Sequence, residues 1–263
     1  MTDCRLLVDP PAAGAWNMAV DEALWESSSG TGRCCLRLYG WAAPTLSLGY
    51  FQAYDDRWQH PSSRSCAVVR RISGGGAIVH DVELTYSIVV PARHPAAVGR
   101  QRLYEAVHAT IVELLAGLGI DASIQPAWDS PQRAAQPLLC FQRRAPGDVL
   151  VGPVKVAGSA QRRNQFAVLQ HGSLLLARSQ AAPELPGLEE IAGRRLAPDE
   201  LIAAWLERLS ARLGLRWAEG PLSLSEWNRA SQLVAEKHAT ERWIHSRGRG
   251  AAVDPFDTAR EPD

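Results

Sequence analysis

Lysine is almost absent from this sequence of 263 residues. Only Lys155 and Lys237 among the 28 basic residues are lysine, and the other 26 are arginine. The 28 acidic residues balance the basic ones, which argues against a nucleic-acid platform and against electrostatic recruitment to a membrane. A local basic groove remains compatible with this balance. Where arginine fills nearly every basic position, a retained lysine raises the question of whether a compact ammonium is needed there.

Long apolar runs, a leader segment and a paired cysteine framework are also lacking. No apolar run approaches the roughly 18–20 residues of a membrane span, and the N-terminus MTDCRLLVDPPAAG does not resemble a signal peptide. Five scattered cysteines do not suit a disulfide scaffold, so we expect a cytoplasmic protein with reduced thiols. Because the sequence has no HExxH motif and no zinc-spaced Cys/His cluster, we expect no metal. We also expect no cofactor.

Hydrophobic periodicity predicts strands mainly in the first half of the chain and helices toward its end. The expected strands are 35–39, 45–51, 67–69, 76–80, 84–90, 149–151, 155–158 and 167–176. The expected helices are 16–25 with Asn17 as its cap, 102–118, 198–213 and 223–240. Strands flanked by helices without strict alternation indicate an α+β fold with a mixed or antiparallel sheet. We expect residues 1–245 to form one domain and 246–263 a disordered tail.

A glycine-rich segment, Arg70-Arg71-Ile72-Ser73-Gly74-Gly75-Gly76, lies between two predicted strands. Three successive glycines permit positive φ angles and a close approach of a ligand, so that backbone N–H groups converge on an anion or a carbonyl. The preceding arginines would add charge-assisted hydrogen bonds to a phosphate or carboxylate. The segment matches neither a P-loop nor a GxGxxG turn. The alternative is a flexible hairpin with two solvated arginines.

Cys140 and Lys155 are candidates for nucleophilic chemistry. Cys140 follows the irregular stretch 129–139, and basic neighbours such as Arg143 and Arg144 would favour its thiolate. Lys155 lies between two valines on a short predicted strand, which can direct its side chain into a cleft. The alternatives are a buried, inert cysteine and a surface lysine on an edge strand. We interpret three further cysteines as structural: Cys34, Cys35 and Cys66.

Two histidines at predicted strand ends, His80 and His171, are candidates for acid–base or ligand-binding roles. A single histidine in such a position is more often structural. A hydrolase triad of Cys140, His171 and Asp81 can be drawn, but only the residue types support it.

Five motifs follow one another along the chain. They are WNMAVDEAL (16–24), LRLYGWAAPTLSLGYFQ (36–52), RRISGGGAIVHDVELTYS (70–87), KVAGSAQRR (155–163) and QHGSLL (170–175). Their order and spacing resemble the biotin/lipoate protein ligase catalytic-domain family over about residues 5–245. The resemblance implies an α+β fold related to the catalytic domain of class II aminoacyl-tRNA synthetases. It also implies an acyl chain in a tunnel beside the glycine-rich loop.

Two features resemble the branch of octanoyltransferases that form a covalent acyl-enzyme. Cys140-Phe141 lies fifteen residues before the lysine of the fourth motif, and only about twenty residues follow the stretch 237–243. We therefore expect the accessory domain of many ATP-dependent lipoate ligases to be absent. The branch moves an octanoyl group from acyl carrier protein to a lysine of a lipoyl domain, commonly the glycine-cleavage H protein. The resemblance implies Cys140 as nucleophile and Lys155 as its activator, in a monomer without a nucleic-acid or membrane partner.

The resemblance further implies a substrate-binding set around the glycine-rich loop and the two later motifs. The set is Arg71, Ser73, Gly74, Gly75, Gly76, His80, Ala157, Gly158, His171 and Gly172. Arg143 and Arg144 depart from the family pattern, which leads us to expect acidic, small or aromatic residues there. Asp148 lies beside the implied site without an assigned role.

Three other functions remain compatible with the sequence. An ATP-dependent lipoate–protein ligase would use Lys155 against the acyl-adenylate and Arg71 near its phosphate, and Cys140 would be dispensable. An amidotransferase between lipoyl domains would need the same cysteine with a different donor. A catalytically silent acyl-binding protein would keep the fold without forming a thioester.

Overall fold

The computed structural model describes residues 1–99, 101–127 and 137–246. Its strands are β1 (Thr2–Val8), β2 (Cys34–Tyr39), β3 (Thr45–Leu48), β4 (Ala67–Arg70), β5 (Ile78–His80), β6 (Glu83–Pro91), β7 (Ala122–Ile124), β8 (Val149–Val151), β9 (Val154–Arg163), β10 (Ala167–Leu175) and β11 (Leu215–Glu219). Its α-helices are α1 (Gly14–Thr31), α2 (Arg102–Gly117), α3 (Leu188–Ala192), α4 (Pro198–Leu213), α5 (Leu224–Leu233) and α6 (Glu241–His245). A π-helix, Val234–His238, follows α5.

The strands form two sheets. The larger sheet has the order β11-β1-β2-β6-β10-β9-β8-β7, in which β1 is parallel to β11 and β2. The other neighbouring pairs of this sheet are antiparallel. The smaller sheet has the order β4-β3-β5, with β3 parallel to β4 and antiparallel to β5. The predicted α+β fold with a mixed sheet is confirmed.

Helices cover both faces of the larger sheet. Leu84, Tyr86 and Ile88 of β6 pack in the core that α2 and α4 close, whereas Val89 packs in the core that α1 and α5 close. All nine residues of β6 are buried. Glu83, Thr85 and Ser87, the polar residues that alternate with the apolar ones, are each hydrogen-bonded to another side chain, which permits their burial.

The first helix differs from its prediction, which was the span 16–25 with Asn17 as its cap. The helix begins upstream of Asn17 and has no side-chain cap. Asn17 is fully buried, and its Oδ1 accepts a hydrogen bond from Arg37 at 2.9 Å, so the side chain is used in a tertiary contact. The helix ends only where Gly32 adopts a φ of 66°.

The predicted helix over 223–240 is interrupted by the π-helix. Within the π-helix, both Lys237 and His238 contact the carboxylate of Glu22 on α1 at 2.7 Å. Successive side chains of a regular α-helix point about 100° apart. The wider turn of the π-helix is compatible with the side chains of Lys237 and His238 both reaching the Glu22 carboxylate. The contact fixes the C-terminal part of the described chain against α1.

The C-terminal boundary of the domain at residue 245 stays a prediction. Of the expected disordered tail, 246–263, only Ser246 falls within the described residues. Among the helices of the described chain, none is long and apolar enough to cross a membrane.

His108 is a buried histidine near the middle of α2. Its Nδ1 lies 2.6 Å from the carbonyl oxygen of Gly147 and therefore donates a proton to it. Its Nε2 then accepts from the hydroxyl of Ser159, also at 2.6 Å. Burial lowers the pKa of His108 to about 4, so the folded state holds the neutral imidazole.

We expect His108 to make the free energy of unfolding fall by about 2 kcal/mol between pH 6.5 and pH 5. The unfolded chain takes up a proton near pH 6.5, whereas folded His108 does so only near pH 4. This stability is therefore present above pH 6.5 and is lost as the pH falls. In urea unfolding at a series of pH values, His108→Gln should lack this component, and His245→Gln, which changes an exposed histidine, should retain it. Equal pH dependence in both variants would contradict the assignment.

Candidate active site

A cleft lies between the larger sheet and the glycine-rich loop. Its lining residues are Met18, Tyr39, Arg71, Gly74, Gly75, Ile78, His80, Thr85, Cys140, Phe141, Gly158, Ser159, Ala160, His171, Gly172 and Ser173. The cleft thus brings together segments that are far apart in the sequence. Most of the predicted site residues line it, and Lys155 contacts the lining residue Cys140.

Cys140 and Lys155 meet in the wall of the cleft. The ammonium of Lys155 donates to the Cys140 sulfur and to the Cys140 carbonyl oxygen, each at 3.4 Å. Lys155 lies on β9, and its side chain is only 2% exposed. The alternative of a surface lysine is therefore wrong. Cys140 is half-buried, whereas Cys34, Cys35 and Cys66 are buried, in agreement with the structural interpretation of these three.

Asp148 is the counterion of Lys155. Its Oδ2 lies 2.8 Å from the Lys155 ammonium, and its side chain is also 2% exposed. The same carboxylate accepts hydrogen bonds from the Ala145 N–H at 2.7 Å and from the Tyr104 hydroxyl at 3.1 Å. Burial and the Asp148 charge raise the pKa of Tyr104. Asp148 immediately precedes β8, so the β8–β9 hairpin brings it to the lysine.

The glycine-rich loop contacts the backbone of Cys140. A Cβ at Gly76 would lie 3.1 Å from the Cys140 Cα, and the Cys140 N–H donates to the Ala77 carbonyl at 2.7 Å. Gly75 has a φ of 93°, a conformation that other residues rarely adopt. Gly75 therefore supplies the backbone conformation of the loop, and Gly76 allows the loop to lie this close to the Cys140 backbone.

Both arginines that precede the loop are buried, so the alternative of a hairpin with solvated arginines is wrong. Arg71 donates to the carbonyl oxygens of Gly74 at 3.1 Å and Gly76 at 2.9 Å, and to the Ser47 hydroxyl at 2.6 Å. Burial lowers the pKa of Arg71 to about 10, against an opposing effect of the Cys140 charge. Arg71 therefore both lines the cleft and fixes the loop.

His80 is held by contacts to both of its ring nitrogens. Its Nδ1 lies 2.5 Å from Glu83, its Nε2 lies 2.6 Å from the Ser47 hydroxyl, and its ring stacks on Trp41 at 3.9 Å. Burial lowers the pKa of His80 in spite of the Glu83 carboxylate. Since Ser47 also binds Arg71, this chain of contacts supports the arginine that fixes the loop.

His171 lies on β10 between Ser73 and a carboxylate that sequence reasoning missed. Its Nε2 contacts the Ser73 hydroxyl, and its Nδ1 lies 3.3 Å from Asp21 of α1. The drawn triad with Asp81 is wrong, because Asp81 instead accepts from the Ser179 hydroxyl at 2.7 Å. Asp21 lies four residues after Asn17 in an apolar stretch of α1, so the two side chains share one face of the helix. This spacing is the sequence signal of the buried position of Asp21.

The remaining predicted residues divide between the cleft and its surroundings. Ala157 lies in the hydrophobic core and does not line the cleft. A Cβ at Gly158 would lie 2.6 Å from the Lys155 Cε, and one at Gly172 would lie 2.3 Å from the Ser159 hydroxyl oxygen, so a side chain at either position would displace its neighbour.

Arg143 and Arg144, the two departures from the family pattern, contact the backbone of neighbouring turns. Arg143 donates to the carbonyl oxygens of Pro137 and Leu138. Arg144 donates to the carbonyl oxygen of Pro153. These contacts join the segment after Cys140 to the chain on either side of it.

Comparison with known proteins gives one family. The lipoyl protein ligase A/B catalytic domain matches residues 13–184. An octanoyltransferase LipM from Kyrpidia tusciae is 34% identical over 275 residues, which cover 94% of this chain and all of that protein.

Solved structures of ligases have the same fold. A lipoate-protein ligase A bound with ATP has a TM-score of 0.74 at 22% identity and covers 93% of this chain and 99% of its own. A bi-partite lipoate protein ligase from Thermoplasma acidophilum, described with its E2 lipoyl domain, has a TM-score of 0.72 at 20% identity and covers 100% of this chain and 99% of its own. The family expected from the motifs is confirmed, and the chain belongs to the lipoyl protein ligase A/B catalytic domain family.

Proposed function

We propose that the protein is an octanoyltransferase of lipoyl assembly and that Cys140 carries the octanoyl group as a thioester. The observation that carries this proposal is the 3.4 Å contact between the Cys140 sulfur and the buried ammonium of Lys155 in the wall of the cleft. The curated octanoyltransferase that aligns with 94% of the chain supports the same reaction.

Two buried cations lie beside Cys140. The Lys155 ammonium contacts the sulfur directly, and the Arg71 guanidinium lines the same cleft. A neighbouring cation stabilises a thiolate, which is the nucleophilic form of cysteine. Asp148 fixes the ammonium by a contact of 2.8 Å, so the positive charge is held beside the Cys140 sulfur.

The reaction then has two halves. In the first, the Cys140 sulfur attacks the octanoyl thioester of acyl carrier protein. A C–S bond to Cys140 forms, the donor C–S bond breaks, and Lys155 gives a proton to the departing thiolate. In the second, the amine of an acceptor lysine attacks, a C–N bond forms, and Cys140 leaves as thiolate while Lys155 takes a proton from the amine. Because the donor thioester is already activated, the transfer needs no ATP.

The remaining parts of the cleft serve the oxyanion and the acyl chain. Main-chain N–H groups of the 74–76 loop or near Gly158 would stabilise the oxyanion, and one such donor contributes about 3 kcal/mol. The octanoyl chain would lie against apolar wall residues such as Ile78 and Phe141. Burying eight carbons at about 0.8 kcal/mol each gives about 6 kcal/mol, enough to select chain length coarsely.

For the acceptor we propose a lipoyl domain such as that of the glycine-cleavage H protein. The fold-related ligase that is described with its E2 lipoyl domain supports a partner of this kind. Acyl carrier protein as donor, the cytoplasmic location and the monomeric state stay predictions.

We expect Cys140→Ser to lower octanoyl transfer at least about 1,000-fold, because the hydroxyl is a far weaker nucleophile at neutral pH. Wild-type protein incubated with octanoyl-acyl carrier protein should gain one octanoyl mass, measured by intact mass spectrometry, and Cys140→Ser should not. The matched control is Cys66→Ser, which changes a buried cysteine outside the cleft lining and should keep both the adduct and the transfer.

Two results would contradict the proposal. One is unchanged transfer by Cys140→Ser. The other is transfer that requires ATP, Mg²⁺ and free lipoate, which would assign the protein as a ligase. A wild-type protein that binds octanoate but forms no adduct would favour the silent acyl-binding alternative.

We expect Asp148→Asn to reduce both the transfer rate and the stability. The change leaves the buried ammonium of Lys155 without its counterion, and loss of one partner of a buried pair commonly costs about 3–5 kcal/mol. Urea unfolding and the octanoylation rate measure the two effects. Asp81→Asn is the matched control and should change both measurements little, because Asp81 contacts only Ser179 among the hydrogen bonds described. Equal effects of the two variants would contradict a role for the Lys155–Asp148 pair.

A further inference from the structure

A chain of three side chains connects the cleft to the buried carboxylate of α1. His171, which lines the cleft, contacts the Ser73 hydroxyl through Nε2 and lies 3.3 Å from the Asp21 carboxylate through Nδ1. Asp21 is an ionised carboxylate, because the His171 hydrogen bond and the Arg37 charge outweigh burial and lower its pKa. Nδ1 therefore carries the proton, and Nε2 accepts from the Ser73 hydroxyl.

The surroundings hold this chain in one orientation. The Asp21 carboxylate also accepts from Arg37 at 3.0 Å, from the Tyr39 hydroxyl at 2.9 Å and from the Ser87 hydroxyl at 2.8 Å. The other titratable groups that line the cleft are Cys140, Tyr39, Arg71 and His80, which Glu83 holds. His80 has both nitrogens engaged by Ser47 and Glu83, so it is not available to a substrate.

The second half of the proposed reaction releases two protons. A lysine side chain has a pKa of about 10.4, so only about one in 2,500 acceptor amines is neutral at pH 7. The ammonium must lose one proton before it attacks the thioester and a second when the amide forms. Lys155, having given one proton to the departing donor thiol, can take back only one. The remaining proton needs a second base, which the Cys140–Lys155 pair does not supply.

We propose that Ser73, His171 and Asp21 form the proton relay that deprotonates the acceptor lysine. This inference rests on the proposed function. The ammonium gives its proton to the Ser73 oxygen while the Ser73 proton passes to His171 Nε2, and Asp21 stabilises the resulting imidazolium. The neutral amine then forms the C–N bond, the C–S bond to Cys140 breaks, and Lys155 takes the second proton. His171 afterwards releases its proton to solvent. Ser73, which is 1% exposed and immediately precedes the lining residue Gly74, takes the proton of the substrate in this scheme, and Asp21 is a positioning residue.

The test separates the two halves of the reaction in full-length protein, with octanoyl-acyl carrier protein as donor. His171→Gln and Ser73→Ala should slow formation of the Cys140 adduct far less than its transfer to lysine, because acylation does not use the relay. Transfer from the adduct to H-protein lysine at pH 7 should fall about 100-fold or more, the usual size of a general-base contribution. The defect should shrink as the pH is raised to 9, since each pH unit increases the neutral amine about tenfold.

Hydroxylamine supplies the decisive acceptor, because its nitrogen is already neutral at pH 7. Both variants should lose far less activity with hydroxylamine than with H-protein lysine. The matched control is His80→Gln, which also removes a histidine held between a serine and a carboxylate. Since His80 supports the loop through Ser47 and Arg71, its loss should slow adduct formation and transfer to both acceptors alike.

The outcomes each decide the proposal. Unchanged lysine transfer, a pH-independent defect, or an equal loss with lysine and hydroxylamine would overturn the relay. Loss of the adduct in both relay variants would overturn it as well, with thermal unfolding showing whether His171→Gln is folded. Ser73→Ala removes only a hydroxyl, and its transfer rates decide between the outcomes if His171→Gln does not fold. A wild-type protein that forms no adduct would instead reject the proposed function itself.

Discussion

The buried ion pair between Lys155 and Asp148 is the interaction on which the site depends. A charge removed from water is costly unless an opposite charge and hydrogen bonds compensate it. Here the two groups lie 2.8 Å apart, and the Ala145 N–H and the Tyr104 hydroxyl complete the contacts of the carboxylate. The pair allows an ammonium to lie in the protein interior beside the Cys140 sulfur. The hairpin β8–β9 and the contact of α2 through Tyr104 both serve to build it.

The glycine-rich loop also lines the cleft, and its position likewise depends on buried polar contacts. Arg71 binds two carbonyl oxygens of the loop and the Ser47 hydroxyl, and His80 and Glu83 complete the chain behind it. Because a backbone carbonyl cannot reorient without losing these hydrogen bonds, the loop is held against Cys140. The glycine-rich loop, held by these contacts, and the buried ammonium of Lys155 together give the preorganised geometry that acyl transfer requires.

Sequence reasoning found the parts of the site that carry a local signal and missed those that depend on strand register. Cys140, Lys155 and the triple glycine stand out by type and spacing, and the apolar positions of α2 predict that helix correctly. The drawn triad gave Asp81 as the carboxylate partner of His171. The observed partner is Asp21, which is 150 residues away from His171 in the sequence. Which acid faces β10 is decided by the pairing of β10 with β6 and the packing of α1, and a shift of one residue would turn every side chain to the other face.

The two lysines of this arginine-rich chain show that the same residue type serves two different needs. Lys237 pairs with Glu22 at 2.7 Å and lies 4.3 Å from the centre of the Trp243 ring, contacts that an arginine also makes well. Lys155 packs against Gly158, where a Cβ would lie 2.6 Å from the Lys155 Cε. In the proposed reaction it must also release and recover a proton, which arginine does not do near neutral pH. The presence of lysine at position 155 thus has a chemical explanation, whereas at position 237 the observed contacts are structural.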